Sequence, residues 1–423
     1  KNNYVDCMGN FGADGIVGPH AEKEGSYYTI KEVWCPVQLT WNDVEKGELT
    51  LSNQYNFVNL KDCRFSYRLL QMPAMGSTQV KVLKQGNISS PDVAPGKEAQ
   101  VKIPMMANAD AVEIKAVNHE GEEIMTWSRG VKSEERRVKN SSAPSTSSAA
   151  YADQADAVEV KAGGRTYRFA KKDGRLMGVE VGSKAISLSN GPRFMAARRS
   201  DRSLDQFYNH DDKEAEKKKT LYTEFVDQGA FAGFEWKEAE AKLVATYQHG
   251  SLDEVDWQFL SDGSVAVTCH YNFGGVVDMM GMAFDYPESK VRSKAWVGNG
   301  PYRVWQNREQ GPQYGYWQND YNDPIPAESW DYPEFKGYFA NVKWMQFKTD
   351  EGKIGFSGLT ADEHMGVYTP RDGRDGLLYT LPQTGLAVFK VIPSVRNKVN
   401  TTDLNGPSAQ PKWLNGKGKV EFT

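Results

Sequence analysis

The carboxylates Asp253, Glu254 and Asp256 fall within four residues of one another. Proton transfer needs an acid and a base fixed on either side of the bond that breaks, and this spacing by itself reads as a solvated turn. The histidines His20, His119, His210, His249, His270 and His364 form neither H-E-x-x-H nor another close ligand spacing, so a metal site built on imidazole is not expected. Cys7, Cys35, Cys63 and Cys269 lack a C-x-x-C pair and are expected as free or buried thiols. The strongest local signal is aromatic. Between Trp305 and Trp344 the sequence interleaves Trp317, Tyr321, Trp330, Tyr332 and Tyr338 with Asn, Asp and Gln. Sugars present C–H faces to rings and hydroxyls to amides and carboxylates, so the stretch suits carbohydrate contact. A large sandwich uses the same rings as core. Aromatic residues broken up by Gly and Pro favour loops, which selects Trp317 and Trp330 as sugar-facing and leaves Trp344, in VKWMQF, to packing.

Such loops need a scaffold, and 423 residues with 39% hydrophobic and 12% aromatic content are enough for two or three packed domains. Residues 1–33 are glycine-rich without a sustained period and read as loop and short turns, a connector. From Ile30 onward, runs such as VWCPVQL, GELTLSNQYNF, RFSYRLLQ and AVEIKAV are separated by turn residues. Their spacing predicts an immunoglobulin-type β-sandwich over 34–131. Residues 132–156 are crowded with charge, Ser and Ala and read as an exposed linker. Residues 157–423 keep the strand-and-turn texture and are too many for a simple sandwich, which predicts a large two-sheet sandwich with long loops. The one helical candidate, DDKEAEKKK from Asp211 to Lys219, is a charge run that reads as solvated surface. Alternating strand–helix units are missing from the pattern, so the expected class is all-β with no TIM barrel.

A net charge of -4, from 51 basic and 55 acidic residues, offers no positive field for nucleic acid. No apolar run approaches the roughly 20 residues that a membrane span requires. The opening KNNYVDCMGNFG has no apolar signal-peptide core, so the chain reads as soluble with its own address missing or removed. Sequons at Asn87, Asn140 and Asn400 have meaning only in a glycosylating secretory pathway.

Ordered similarity runs along nearly the whole chain. GNFG, then DGIV, then Lys31 resembles the point in family 2 glycoside hydrolases of β-galactosidase type where the catalytic barrel ends and the next sandwich begins. Gly47, Leu49, Leu51, Asn53, Tyr55, Phe57 and Leu60 are similar to the G-x-L-x-L-x-N-x-Y-x-F-x-x-L of that family's fourth domain. Read as residues, they are the alternating face of a strand and the turn after it. W-V-G-N-G-P-Y-R-V-W-Q-N-R is similar to W-x-G-x-G-P-x-E-x-Y-x-D-R, with Trp296, Gly298, Gly300, Pro301 and Arg308 matching. Arg303 and Asn307 stand where the family usually has acidic residues. PEFKG keeps only Pro333 and Gly337 of P-S-E-N-G, and AARRSDR from Ala196 does not keep R-A-P-x-D-N-D. The chain resembles a divergent C-terminal region of the family.

The resemblance implies an immunoglobulin-like sandwich followed by a galactose-mutarotase-like supersandwich. The hydrolytic carboxylate pair would lie on a barrel preceding Lys1, so no catalytic residue is assigned in this chain. Its implied role is to brace that barrel and help shape the pocket for terminal β-galactosides. The alternatives are a stand-alone carbohydrate-binding sandwich and an aldose-epimerase-type enzyme, for which no pair of histidines recommends itself. Asp14 falls on an asparagine beside the family's active-site cation. That makes Asp14 a metal candidate in a full-length enzyme using Na⁺, Mg²⁺ or Ca²⁺. A Trp carried to the sugar by the last domain is also implied, and Trp413 is the candidate. The implied partners are the barrel of the same polypeptide and carbohydrate, with a homo-oligomer left open. A glycan-degrading bacterial parent would be periplasmic or secreted.

Overall fold

Strict alternation in ELTLSN buries Leu49, Leu51 and Asn53 and leaves their neighbours half-open, the signature of a strand with one face on a core. The computed structural model describes residues 16–17, 21, 23, 25–131, 149–199, 222–225, 227–320, 337–368, 382, 384–394 and 406–423. Their contacts group the chain into two compact units that are not contiguous in sequence. The first unit takes residues 1–137, 295–303 and 309–330, and the second takes 138–294, 304–308 and 331–423.

The first unit contains β1 (Val37–Asp43), β2 (Glu48–Asn53), β3 (Arg64–Gln71), β4 (Lys81–Ile88), β5 (Glu98–Lys102), β6 (Ala111–Val117) and β7 (Glu123–Gly130). They form a three-stranded sheet, β1-β2-β5, and a four-stranded sheet, β4-β3-β6-β7. The inner faces meet in a core that includes Leu49, Leu51, Leu60, Phe65, Leu69 and Trp127. The turn into β2 requires glycine. Gly47 has φ +69°, and a Cβ there would stand 2.4 Å from the Ile103 carbonyl oxygen.

Strand alternation does not continue through Phe57, which is 96% exposed. The cause is Asn53, whose Nδ2 donates to the carbonyls of Val58 and Val93, each at 2.8 Å, while its Oδ1 accepts from the Tyr55 N–H at 2.9 Å. The side chain folds the following segment into a turn, as Asn does where it can bond local backbone.

Gly25–Val33 is a helix, α1, where the sequence reads as irregular loop. It buries no residue fully and is held by polar contacts made far along the chain. Thr29 Oγ1 donates to Gln310 O at 2.9 Å, and Glu32 Oε2 accepts from Gly311 N at 2.6 Å. Such long-range support leaves no apolar stripe for sequence reasoning to find.

The second unit starts with β8 (Ala150–Asp153), β9 (Ala157–Ala162), β10 (Arg165–Ala170), β11 (Leu176–Val181), β12 (Lys184–Ile186), β13 (Ser189–Arg199) and β14 (Tyr222–Phe225). It continues with β15 (Ala230–Lys237), β16 (Lys242–Gln248), β17 (Leu252–Phe259), β18 (Val265–Val277) and β19 (Met279–Asp285). The division between units falls inside β20 (Val291–Gly300), and β21 (Gln313–Asp320) belongs to the first unit. β22 (Trp344–Thr349), β23 (Lys353–Ser357), β24 (His364–Val367), β25 (Leu386–Val391) and β26 (Lys412–Phe422) complete the second.

A ten-stranded sheet runs β24-β25-β19-β13-β11-β10-β9-β8, with β12 on β11 and β14 on β13, and a five-stranded sheet runs β15-β16-β17-β18-β26. Aromatic rings interdigitate between the two sheets. Phe169 meets Trp257 at 4.9 Å, Phe194 meets Phe273 at 5.3 Å and Phe284 meets Phe422 at 5.8 Å. The described chain is therefore all-β in class, two sandwiches with α1 as its α-helix. Part of the segment read as linker is ordered sheet: β8 pairs with β9, and Tyr151 stacks on Trp236 at 5.6 Å. Residues 132–148 and the charge run from Asp211 to Lys219 lie outside the described residues. No described helix is long and apolar enough to cross a membrane.

Candidate carbohydrate site

Trp317 lies on β21, not in the loop that its Gly- and Asn-rich surroundings suggest. Two glycines explain why a bulky ring fits there. A Cβ at Gly300 would come within 2.6 Å of Trp317 Cδ1, and one at Gly315 within 3.2 Å of its Cε2. The absent side chains let the indole lie close over the backbone of β20 and of its own strand. The indole Nε1 donates to Gly298 O at 3.1 Å, and the side chain is half-buried. Gly298 and Gly300 of the WVGNGP motif thus serve as the seat of Trp317.

β21 is fixed in the first unit through β7. Ser128 N donates to Gln313 Oε1 at 2.7 Å, Ser128 Oγ donates to Tyr314 O at 2.6 Å, and a Cβ at Gly130 would lie 3.1 Å from the Tyr314 ring. This attachment places Trp317 in the first unit, although its position in the sequence puts it in the expected second sandwich.

Trp317 lines a cavity of about 330 Å³ together with Tyr28, Tyr316, Gln313, Ser128 and Met72. That volume is at the small end of those that hold small ligands. The carboxylates in its wall are already ion-paired. Glu113 receives Arg68 through two bonds of 2.6 and 2.7 Å, and Glu123 receives Lys31 at 2.9 Å and Lys115 at 3.5 Å. Burial would raise the Glu123 carboxyl, but Lys31 and Lys115 outweigh it and hold it below the ordinary carboxylate range. A lowered carboxyl stays ionised near neutrality and cannot serve as the proton donor that glycoside cleavage needs. The cavity wall carries the rings of Tyr28, Tyr316 and Trp317 and one side-chain amide, that of Gln313.

The other expected positions fall elsewhere. Trp413 is on β26, at the edge of the five-stranded sheet, paired with Val276 and 70% exposed. Trp330 and Asp14 lie outside the described residues. Trp305, Tyr338 and Trp344 are 1%, 3% and 4% exposed and belong to packing. The thiols of Cys35, Cys63 and Cys269 are free and buried, and burial pushes each of them up, which makes them unreactive. Glu254 and Asp256 lie within β17 and not in a turn, and β18 brings His270 opposite Glu254. No spacing within a single segment signals that constellation, because strand pairing creates it.

Comparison with known proteins matches residues 49–127 to a family described as β-galactosidase, domain 4, which is most of the first sandwich. No curated protein matches the sequence. Among solved structures, the exo-chitosanase CsxA of Amycolatopsis orientalis is similar at 10% identity and a TM-score of 0.21, over 80% of this chain and 28% of that one. The cycloalternan-forming enzyme of Listeria monocytogenes is similar at 10% identity and a TM-score of 0.21, over 92% and 30%. The chain spans less than a third of the length of either protein. The family described as β-galactosidase small chain matches residues 161–383, more than half of the sequence, and the chain belongs to that family.

Proposed function

We propose that this chain is a non-catalytic part of a β-galactosidase-like glycoside hydrolase. In this reading its two sandwiches brace a catalytic barrel and contribute a carbohydrate-contacting surface centred on Trp317. Family membership supports the enzyme class. The observation that carries the sugar-contacting role is the half-buried Trp317 ring, seated on Gly300 and Gly315 and lining a cavity with Tyr28, Tyr316 and Gln313. Such a ring offers an apolar face to sugar C–H groups, and the neighbouring amide can bond hydroxyls.

The test uses the 423-residue chain itself. Galactose and a methyl β-galactoside are titrated into the protein and into Trp317→Ala, with Trp413→Ala as a comparison. Loss of a stacking ring is expected to weaken binding by about 1 to 3 kcal/mol, roughly five-fold to more than a hundred-fold, with the fold retained. Equal affinity in Trp317→Ala and the unaltered chain removes the assignment. The same preparation is expected to show no turnover of a nitrophenyl β-galactoside. Turnover that disappears on changing one of the chain's own carboxylates would overturn the non-catalytic reading.

A further inference from the structure

The outward face of the five-stranded sheet carries a second constellation. Alternation along β17 turns Val255, Trp257 and Phe259 into the core and leaves Glu254 and Asp256 half-buried on the other face. The register sets Glu254 opposite His270 of β18 and Asp256 opposite Thr268, so the imidazole is the direct neighbour of one carboxylate and the diagonal neighbour of the other. One ligand atom from each of Glu254, Asp256 and His270 lies within 4.8 Å of the other two.

The surrounding charges do not fully satisfy this cluster. Lys242 Nζ reaches Asp256 Oδ2 at 3.3 Å and Glu240 at 3.2 Å, yet Asp256 Oδ1 is buried with no hydrogen-bond partner. A buried acceptor without a donor is destabilising. Two carboxylates held side by side and an orphaned oxygen are relieved together by one cation. Lys419, opposite His270 on β26, is engaged by Glu421 at 3.0 Å.

We propose that Glu254, Asp256 and His270 form a binding site for one divalent cation of the Zn²⁺ class. Two carboxylate oxygens and one imidazole nitrogen serve as ligands, and a fourth position is open to water. The donor set selects the ion. An imidazole nitrogen disfavours Ca²⁺ and Mg²⁺, which take oxygen, and the lack of a thiolate disfavours soft ions such as Cu⁺. Zn²⁺ accepts mixed nitrogen and oxygen ligands at about 2.0 to 2.2 Å, and side-chain rotation on two paired strands closes the cluster to that range. The bound ion would tie β17 to β18. Lys242 and Lys419 oppose a cation, so the expected affinity is of micromolar order.

The full chain, stripped with a chelator, is titrated with Zn²⁺ by calorimetry and with Co²⁺ by visible absorption. Uptake of one Zn²⁺ per chain is expected, together with Co²⁺ bands that Zn²⁺ displaces. His270→Gln and Asp256→Asn are each expected to weaken uptake ten-fold or more. His119→Gln, at an exposed histidine of the first unit, is expected to leave it unchanged. Circular dichroism verifies the fold of each variant, and Glu254→Gln replaces any that fails to fold. No saturable uptake by the unaltered chain, or uptake unchanged in the folded ligand variants, overturns the proposal.

Discussion

Glu351 gives the sharpest test of how the second unit is held together. It sits in the turn between β22 and β23, and its side chain is 15% exposed. Its carboxylate accepts from Ser187 N at 2.8 Å, Ser187 Oγ at 2.6 Å, Tyr286 Oη at 2.9 Å and Lys290 Nζ. Four donors from two other segments converge on one turn. Burial alone would raise this carboxyl, but the bonds from Lys290, Ser187 and Tyr286 outweigh it and bring it from 4.5 down to about 2. The Tyr286 phenol is pushed up to about 12, chiefly by burial, and so remains a donor. At 1.36 kcal/mol per pKa unit the depression corresponds to roughly 3 kcal/mol, which solvent screening around the more open Lys290 reduces to about 2. A folded-state value below the unfolded one stabilises fully above pH 4.5, and the contribution fades as pH falls from 4.5 toward 2. Glu351→Gln keeps the shape and removes the charge. Urea unfolding at pH 7, 5, 4 and 3 is expected to show the variant about 2 kcal/mol less stable at pH 7 and 5, with the gap reduced to less than half of that by pH 3. A gap that does not change with pH would refute the electrostatic account and leave only a packing defect.

Asn53→Ala removes the side-chain bonds to the Val58 and Val93 carbonyls and from the Tyr55 N–H, and is expected to lower the stability of the first sandwich by about 1 to 3 kcal/mol in denaturant. Asn53→Asp should do at least as much damage, because it turns a charge toward the Val58 and Val93 carbonyls. Gly300→Ala drives a methyl into the Trp317 ring and is expected to cost about 1 to 3 kcal/mol of stability, with galactoside binding falling alongside. Unchanged stability would show that the ring can move aside freely. Burial, reinforced by Lys412, pushes His364 down to about 4. Its imidazole should therefore stay neutral in NMR titration through pH 5, and because the unfolded chain takes up that proton first, stability should decline as pH falls from 6.5 toward 4. A midpoint near 6.5 would contradict the burial of this ring.

The first sandwich is legible because its strands are half-buried, so the period of two appears directly in Leu49, Leu51 and Asn53. Where the strand ends is less plain, because alternation does not report where a side chain such as Asn53 pulls the backbone into a turn. α1 was not legible, since residues close to 280 positions away in sequence hold it rather than an apolar stripe. Trp317 lies on β21 and not in the loop that its sequence neighbours suggest. Glycine marks loops in most sequences, whereas Gly300 and Gly315 here sit in or beside strands where a ring needs the space of a side chain. The aromatic residues assigned to packing were separable by local pattern, as Trp344 in VKWMQF shows.

The same limit explains why the acidic triplet looked like a turn. Within the sequence Glu254 and Asp256 are only two carboxylates two residues apart, and His270 belongs to the next strand. Antiparallel pairing makes them neighbours, and it does so on a face whose reverse side is fixed by Val255, Trp257 and Phe259. Their positions are set by the sheet rather than by a loop, so little ordering should be needed when a ligand binds. Trp317 shares that property through β20 and β21. In both places a side-chain replacement should therefore change local affinity more than it changes the fold, unlike replacements at Asn53 or Glu351, whose bonds join separate segments.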